Sequence, residues 1–296
     1  GDGVAQDSSG NTSLRAAIME ANATEGASRI LLPTGTYNLS IAGTDEDEGA
    51  TGDIDITGNV TLIGGGANET IIDGNSLDRV FDISGNVTLH GITIRGGHLL
   101  GHGGGIRNSG TLELNESAVS DNWAPWGGGL FNAVSATALI SMCTISSNTG
   151  QDGAGILDRG GDIEIKNSTI SANTSLVIPG SGGNTANGGG IVSDGISLTV
   201  TNSTIYGNTA QHTAGGLLHA KGTLRLKNSI LWNNRAAGNA IEDLWGTFIS
   251  LGNNLVGPSD LASGFVSSDL RDIDPELGPL ADNGGPTLTH RPQLLS

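Results

Sequence analysis

Three side chains in successive stretches of this sequence are of the types that form a nucleophilic triad. Asp158, Ser193 and His219 each follow a glycine-rich triplet and two apolar residues, in GAGILD, GGGIVS and AGGLLH. A triad places histidine in the middle, because the imidazole accepts the proton of the hydroxyl while the carboxylate orients the ring. Here serine holds the middle place. The order argues against a triad, and we predict no catalytic residue in this row.

The acidic segment DEDEGATGDID, residues 45–55, is a candidate metal site. Hard cations prefer several carboxylate oxygens, so a Ca²⁺ ion could be ligated here by Asp45, Asp47, Asp53 and Asp55. The spacing does not match the calcium loop of an EF-hand. A solvated acidic loop is the alternative interpretation. We expect no other cofactor.

The few aromatic residues are candidates for ligand binding, because flat exposed rings suit the faces of sugars. The alternative is that these rings pack within their own loops. Tyr206 and Trp232 are expected to stand in one outward column on adjacent repeats, where their rings could stack. The candidate binding residues are Trp123, Trp126, Phe131, His102, His212, Tyr206 and Trp232.

The segments that carry these residues repeat. Five copies begin at Gly103, Gly127, Gly153, Gly188 and Ala214, and two weaker ones occupy 53–66 and 80–97. Each of the five holds a GGI-like run, an alternating run such as LTVTN, and a run such as TIYGN. Three short strands in about 25 residues, with Gly and Asn at the corners, predict one turn of a parallel β-helix per copy. The loops of variable length all precede the GGI-like run, which marks that corner as the binding side.

Alignment of the copies predicts which residues stack. The inward column of the third strand is predicted as Val119, Ile145, Ile170, Ile205 and Ile230. One corner column is predicted as Asn115, Ser141, Asn167, Asn202 and Asn228, and a second as Asn122, Asn148, Asn173, Asn208 and Asn234. The asparagine columns are expected to form amide ladders. Cys143 falls in a column of serines and is interpreted as a small corner residue.

A short amphipathic helix should cover the first turn of the coil. Leu14, Ile18 and Ala21 fall on one helical face, and Thr12 or Ser13 can cap the helix start. Terminal repeats need such a cover because they have no neighbour on one side. The expected organisation is a single domain, 1–296, with a capping helix at 12–22, coils at 51–256 and an irregular C-terminal segment at 257–296.

Both ends of the chain resemble segments of a known family. TSLRAAI at residues 12–18, followed by Ala21-Asn22, resembles the C-S-L-R-E-A motif that opens many secreted bacterial right-handed β-helix proteins; Thr12 replaces its cysteine and Ala16 its glutamate. Residues 51–83 are similar to that family's usual continuation, and 274–293 resemble the choice-of-anchor Q domain. The resemblance implies an all-β, single-stranded right-handed parallel β-helix that is secreted or at the cell surface. It implies no particular chemistry.

Composition and charge limit the partners. The formal net charge of −17 makes nucleic acid an unsuitable partner, and it disfavours polyanionic saccharides unless a cation is bound. No apolar run approaches the roughly 20 residues that a membrane span needs. The expected partners are a neutral or cationic saccharide or another copy of the protein.

The resemblance also places the substrate groove of related β-helix enzymes on the first strand. Its outward residues are predicted to be Arg107, Phe131, Leu157, Val192 and Leu218. This stripe lacks the paired carboxylates that glycoside hydrolysis requires. The predicted function is therefore a non-catalytic extracellular structural or binding β-helix, either carbohydrate-binding or self-assembling. The alternative is a polysaccharide lyase or glycoside hydrolase that acts on the first-strand face.

Overall fold

The computed structural model, which describes residues 12–44 and 49–293, confirms the parallel β-helix with one short N-terminal helix. Each coil contributes one strand to each of three long parallel sheets. We name these the first-strand, second-strand and third-strand sheets after the order of the runs in the repeat. Equivalent residues of successive coils pair in register, because each coil buries its apolar side chains only against its neighbours.

The strands have the following bounds. The first-strand sheet contains Ile54–Ile56, Phe81–Ile83, Ile106–Asn108, Leu130–Asn132, Ile156–Asp158, Ile191–Ser193, Leu217–His219, Leu244–Thr247 and Ala262–Ser263. The second-strand sheet contains Ala27–Leu31, Asn59–Ile63, Asn86–His90, Thr111–Asn115, Thr137–Ser141, Asp162–Lys166, Ser197–Thr201, Thr223–Lys227 and Ile249–Ser250. The third-strand sheet contains Gly35–Asn38, Thr70–Asp73, Thr93–Arg95, Ala118–Ser120, Thr144–Ser146, Thr169–Ser171, Thr204–Tyr206, Ile230–Trp232, Leu255–Val256 and Leu270–Arg271.

Three smaller elements complete the described chain. A short parallel sheet of Thr149–Gly150, Thr174–Ser175 and Thr209–Ala210 lies at the corner with the variable loops, and a 3₁₀ turn spans Ala237–Asn239. Leu277–Ala281 and Thr289–Pro292 form an antiparallel hairpin. The paired strands of the coil thus run from Ala27 to Arg271, a wider range than the expected 51–256. No helix among the described residues is long and apolar enough to cross a membrane.

The helix Leu14–Ala23 covers the first coil as predicted. Ser13 is its N-cap, and the Ser13 hydroxyl accepts a hydrogen bond from the Ala16 amide. Leu14, Ile18 and Ala21 are the buried residues of the helix and join the core. Burying this face closes the apolar end of the stack.

The amide ladder at one corner is confirmed. Each Asn Nδ2 donates to the Oδ1 of the next, at 2.8–3.0 Å, along Asn122, Asn148, Asn173, Asn208 and Asn234. The last amide donates to Asp243 Oδ1 at 2.6 Å. Cys143 occupies the predicted serine column, where the Ser168 hydroxyl accepts from the Cys143 amide. Burial raises the pKa of its thiol to about 12, so the thiol is unreactive.

Two predicted columns are out of register by one residue. Ser141 pairs with Lys166. Asn167 therefore belongs to the adjacent column, in which Met142 and Glu116 precede it on the two previous coils. The residues of that column have left-handed backbone with φ of 47–54°, a conformation that asparagine tolerates well, which explains why asparagine recurs there. Asn115 lies in the neighbouring column, so no continuous ladder runs from it. In the third strand, Ile205 pairs with Leu231, and Ile230 pairs with Thr204. In the fifth repeat, the buried side chain of that column is therefore Leu231 rather than Ile230.

Candidate functional site

The outward column of the first-strand sheet is longer than the sequence suggested. The predicted residues from Arg107 to Leu218 do share one column. Register extends this column to Asp82 and Asp55 on one side and to Trp245 on the other. These two aspartates could not be assigned to the column from the sequence, because their coils lack the GGI-like run. The triplets Ile54-Asp55-Ile56 and Phe81-Asp82-Ile83, with an acidic residue between two apolar ones, are the signal that identifies them.

Five side chains at this end of the column form a charged cluster: Asp53, Asp55, Arg79, Asp82 and Arg107. Arg79 binds Asp53 through Nε at 2.7 Å and Asp82 through Nη2 at 2.9 Å. Arg107 Nη1 lies 2.9 Å from both oxygens of Asp82. One carboxylate oxygen from each of the three aspartates lies within 4.8 Å of the other two. The face thus contains the paired carboxylates that the sequence analysis did not find.

The cluster is held below the surface. Asp53, Asp55 and Asp82 are only 2%, 5% and 6% exposed. Burial is the main cause that raises the pKa of Asp53 to about 7; Arg79 opposes it, and the neighbouring carboxylates of Asp78 and Asp55 add to it. Asp82, in contrast, is bound by two guanidinium groups. The site therefore places a carboxyl with a pKa of about 7 next to a carboxyl that two guanidinium groups bind.

Arg15 holds the chain that enters this cluster. Its guanidinium donates to the carbonyls of Gly49, Thr51, Gly52 and Asp53, at 2.5–3.3 Å. The capping helix is thereby tied to the segment that leads into Asp53 and Asp55. This contact gives a structural reason for the arginine of the Ser-Leu-Arg run.

The Ca²⁺ hypothesis rests on four aspartates, and two of them, Asp45 and Asp47, lie outside the described residues. Asp53 and Asp55 do lie together, with Asp82 as an unforeseen third carboxylate. Three carboxylates suit a hard cation by donor type. However, Arg79 already pairs with Asp53 and Asp82, and Asp55 Oδ2 accepts from the Gly49 amide at 2.7 Å. Calcium binding stays a prediction, tested by the change in melting temperature on chelation.

Beside the charged cluster lies an aromatic cluster: His98, His102, Trp123, Trp126 and Phe131. The ring of His98 stacks on Trp123 at 4.2 Å, and that of His102 stacks on Trp126 at 4.9 Å. His102 also contacts Phe131 at 4.5 Å. Both histidines are exposed, and both tryptophans are half-buried. The pairs occur on adjacent coils because the loop residues themselves bridge in parallel, His98 with Trp123 and His102 with Trp126.

The two clusters touch. Arg79 Nη1 donates to the carbonyl of His102 at 2.9 Å. Although His102 is exposed overall, part of its ring is removed from water. This partial desolvation, with Arg107 and other arginines adding to the effect, lowers the pKa of His102, so its ring is neutral near pH 7. A ligand on the aromatic cluster would therefore lie next to Arg107, whose side chain is 37% exposed.

The rest of the outward column is apolar and packed. Phe131, Leu157 and Val192 are buried although they point away from the coil interior, and they contact Trp126 and Leu218. The apolar stripe thus forms a second, external core rather than an open groove.

The remaining candidate binding residues lie apart from this site. Tyr206 and Trp232 do occupy neighbouring strands of the third-strand sheet, but the ring that contacts Tyr206 at 4.5 Å is that of His290. His212 lies at the corner with the variable loops, several coils beyond His102, and its Nδ1 accepts from the Ala186 amide at 2.9 Å. The structure therefore brings together four of the seven candidates, His102, Trp123, Trp126 and Phe131.

Asp158, Ser193 and His219 form one column but no triad. Asp158 Oδ1 accepts from Asn132 Nδ2 at 3.0 Å and from the Gly161 amide at 3.1 Å. Within the described residues, Asp158 Oδ2, Ser193 Oγ and His219 Nδ1 are buried without a hydrogen-bond partner. The Ser193 hydroxyl and the His219 Nδ1 therefore share no hydrogen bond, and the absence of a catalytic role for this row stays a prediction.

Comparison with known proteins agrees with the architecture. The sequence profile described as the right handed beta helix region matches residues 84–269. Two solved structures show a general likeness at 14% identity each. A pectin methylesterase from Yersinia enterocolitica has a TM-score of 0.47 over 94% of both chains. The A-module of an Azotobacter vinelandii mannuronan C-5 epimerase has a TM-score of 0.32 over 92% of this chain and 93% of its own.

At these TM-scores neither likeness bears on the activity of this chain. No match was found among curated proteins. The profile match spans more than half of the sequence and agrees with the parallel coils of the structure. The chain belongs to the right-handed β-helix family.

Proposed function

We propose that this protein binds a saccharide on the first-strand face, at the aromatic cluster and the adjoining charged cluster. The observation that carries the proposal is the pair of histidine–tryptophan stacks, His98 on Trp123 and His102 on Trp126. His102 also contacts Phe131, the neighbour of Arg107 in the outward column. Aromatic rings contact the apolar faces of sugars, while guanidinium and carboxylate groups bond their hydroxyls. Ligand sites typically combine an apolar surface with a few fixed polar groups in this way.

The ligand is a neutral or cationic saccharide. The protein carries a net charge of −17, which repels polyanions at low ionic strength. We accordingly expect uncharged or amino-sugar polymers to bind better than uronate polymers.

Affinity electrophoresis against a panel of neutral, cationic and acidic polysaccharides tests this proposal. Retardation by a neutral or amino-sugar polymer that disappears in the double variant Trp123→Ala/Trp126→Ala supports it. Trp232→Ala is the matched control, since Trp232 lies on the third-strand sheet. Unretarded migration in every gel, or equal retardation of wild type and the double variant, would overturn it.

A second candidate function is hydrolysis at the charged cluster. Its support is the close approach of three carboxylates, together with the pKa of about 7 at Asp53. Asp53 could protonate a leaving oxygen while Asp82 or Asp55 acts as the base or nucleophile, which is how paired carboxylates cleave glycosides. The burial of all three requires that a substrate displace part of the segment before Asp53. Release of reducing ends without unsaturated products by wild type, lost in Asp82→Asn, would establish hydrolysis.

A secreted or cell-surface location is also part of the proposal. The resemblance of residues 12–22 and 274–293 to the C-S-L-R-E-A and choice-of-anchor Q segments supports a secreted or cell-surface protein. Self-association is the alternative to saccharide binding at the same face. Light scattering of wild type and the double tryptophan variant distinguishes the two, because only self-association changes the mass of the pure protein.

A further inference from the structure

The C-terminal hairpin folds back over the third-strand sheet. Its two strands, Leu277–Ala281 and Thr289–Pro292, pair only with each other in the described part of the chain. It is fastened to the coil by side-chain hydrogen bonds. Thr287 Oγ1 donates to the Met142 carbonyl at 3.1 Å, and Thr144 Oγ1 donates to the Leu288 carbonyl at 2.6 Å. This attachment has no strand ladder, so a few side chains decide whether the hairpin stays docked.

His290 makes the third fastening through Nε2, while its Nδ1 forms a hydrogen bond within the hairpin. Nδ1 lies 2.7 Å from the carbonyl oxygen of Gly278, and Nε2 lies 2.8 Å from Ser171 Oγ. The ring also packs against Tyr206 at 4.5 Å. A carbonyl can only accept, so Nδ1 must carry a hydrogen. In the neutral ring Nε2 is then the acceptor, and the Ser171 hydroxyl donates to it.

Protonation of His290 disturbs this arrangement. A second N–H at Nε2 would point at Ser171 Oγ and displace the hydroxyl hydrogen from its acceptor. Ser171 is 2% exposed, so water cannot take over that bond. The docked state would then contain a partly buried cation and an unsatisfied hydroxyl, and both raise its free energy.

In the part of the chain that the structure describes, no ion pair compensates for the cation. From the third-strand sheet, the Ser171 hydroxyl and the Tyr206 phenol ring face His290; from the hairpin, the Gly278 carbonyl does. Arg291, the next residue, is exposed and has the same sign of charge. Among the described residues no carboxylate is ion-paired with His290. Burial lowers the pKa of His290, and the Gly278 carbonyl acts in the opposite direction.

We propose that the hairpin is a pH-sensitive latch: protonation of His290 releases residues 277–293 from the third-strand sheet and uncovers a polar face that includes Thr144, Ser171 and Tyr206. The direction follows from linkage. The docked ring binds a proton less readily than a free histidine, whose pKa is about 6.5. Docking is therefore complete above that value and is lost as the pH falls below it.

Hydrogen exchange of the full chain at pH 7.5 and pH 5.0, corrected for the intrinsic exchange rates, tests the latch. We expect amide protection in 277–293 to fall at least tenfold at pH 5.0 in wild type. His290→Phe retains a ring of similar size without a titrating group and should keep its protection within about twofold. His90→Gln on the second-strand sheet is the matched control and should respond like wild type. The strands Thr169–Ser171 and Thr204–Tyr206 should stay protected at both pH values.

Equal protection of the hairpin at both pH values in wild type would overturn the latch, as would an equal loss in His290→Phe. Loss of protection in the coil strands at the same pH would also overturn it, because global unfolding would then explain the result. His290→Gln gives a second test should His290→Phe fail to dock. Its amide retains hydrogen-bonding capacity but does not titrate between pH 5.0 and pH 7.5, so its hairpin protection must stay within about twofold, and a tenfold loss contradicts the proposal.

Discussion

The two halves of the first-strand face share one backbone register but differ in what holds their side chains. Towards the N-terminus, the buried Asp82 forms ion pairs with Arg79 and with the partly exposed Arg107, and Asp55 is buried beside it in the same column. Further along, Phe131, Leu157 and Val192 form an external apolar core. The coil accepts both because outward positions do not affect the stacking of the interior. The site therefore lies at the boundary of the halves, where charged groups and exposed rings adjoin.

The largest effect should come from breaking the charged half at Arg79. Arg79→Met leaves the buried Asp53 without its ion-pair partner and Asp82 with only one. Removal of one member of a buried ion pair costs about 3–5 kcal/mol, because the remaining charge is unpaired. Urea denaturation followed by circular dichroism measures the loss. Arg107→Met, at the more exposed arginine, should cost less; equal losses for the two variants would contradict the assigned roles.

The apolar half should be almost as sensitive at its most buried residue. Leu157 is 1% exposed although it points outward, and Leu157→Ala should cost about 2–4 kcal/mol of unfolding free energy. Leu218→Ala, in the same column but only partly buried, is the control and should cost less. A cost below about 1 kcal/mol for Leu157→Ala would show that this half is an open surface.

A smaller effect should distinguish the halves by pH. The pKa of Asp53 is raised to about 7, so the folded protein holds this proton more tightly than the unfolded chain, where aspartate titrates near 4. The stabilisation is full below pH 4 and is lost as the pH rises through 7. Between pH 5 and pH 8, wild type should therefore lose stability relative to Asp53→Asn. A difference between the two that stays constant from pH 5 to pH 8 would contradict the raised pKa, and Asp73→Asn serves as the control.

The coil could be predicted from sequence because its signals recur. The structure contains the asparagine ladder and the alternating apolar residues that the repeats predict. It also contains the helix that Ser13 was predicted to cap. The predicted register of one corner column was wrong by one residue. Its left-handed position is occupied by Glu116 and Met142 in two coils and by Asn167 in the next, and residue type alone does not identify that backbone conformation.

The site was less accessible to sequence reasoning. Asp55 and Asp82 stand in degenerate coils, so they could not be aligned with Arg107 until the strands were paired. The bond between Ser171 and His290 joins residues 119 apart and follows no repeat. The stacking of His98 on Trp123 depends on loops of different length meeting at one corner. Such contacts arise from tertiary packing, which leaves no periodic pattern in the chain.

The central claim is that the boundary of the two halves binds a saccharide, and titration calorimetry with the oligosaccharide identified by electrophoresis tests it most directly. We predict that Trp123→Ala/Trp126→Ala weakens binding at least tenfold in a protein that stays folded by circular dichroism, although loss of Trp126 from the external core lowers the melting temperature. Trp232→Ala should bind as wild type does. Unchanged affinity in the double variant, or an equal loss in Trp232→Ala, would contradict the claim.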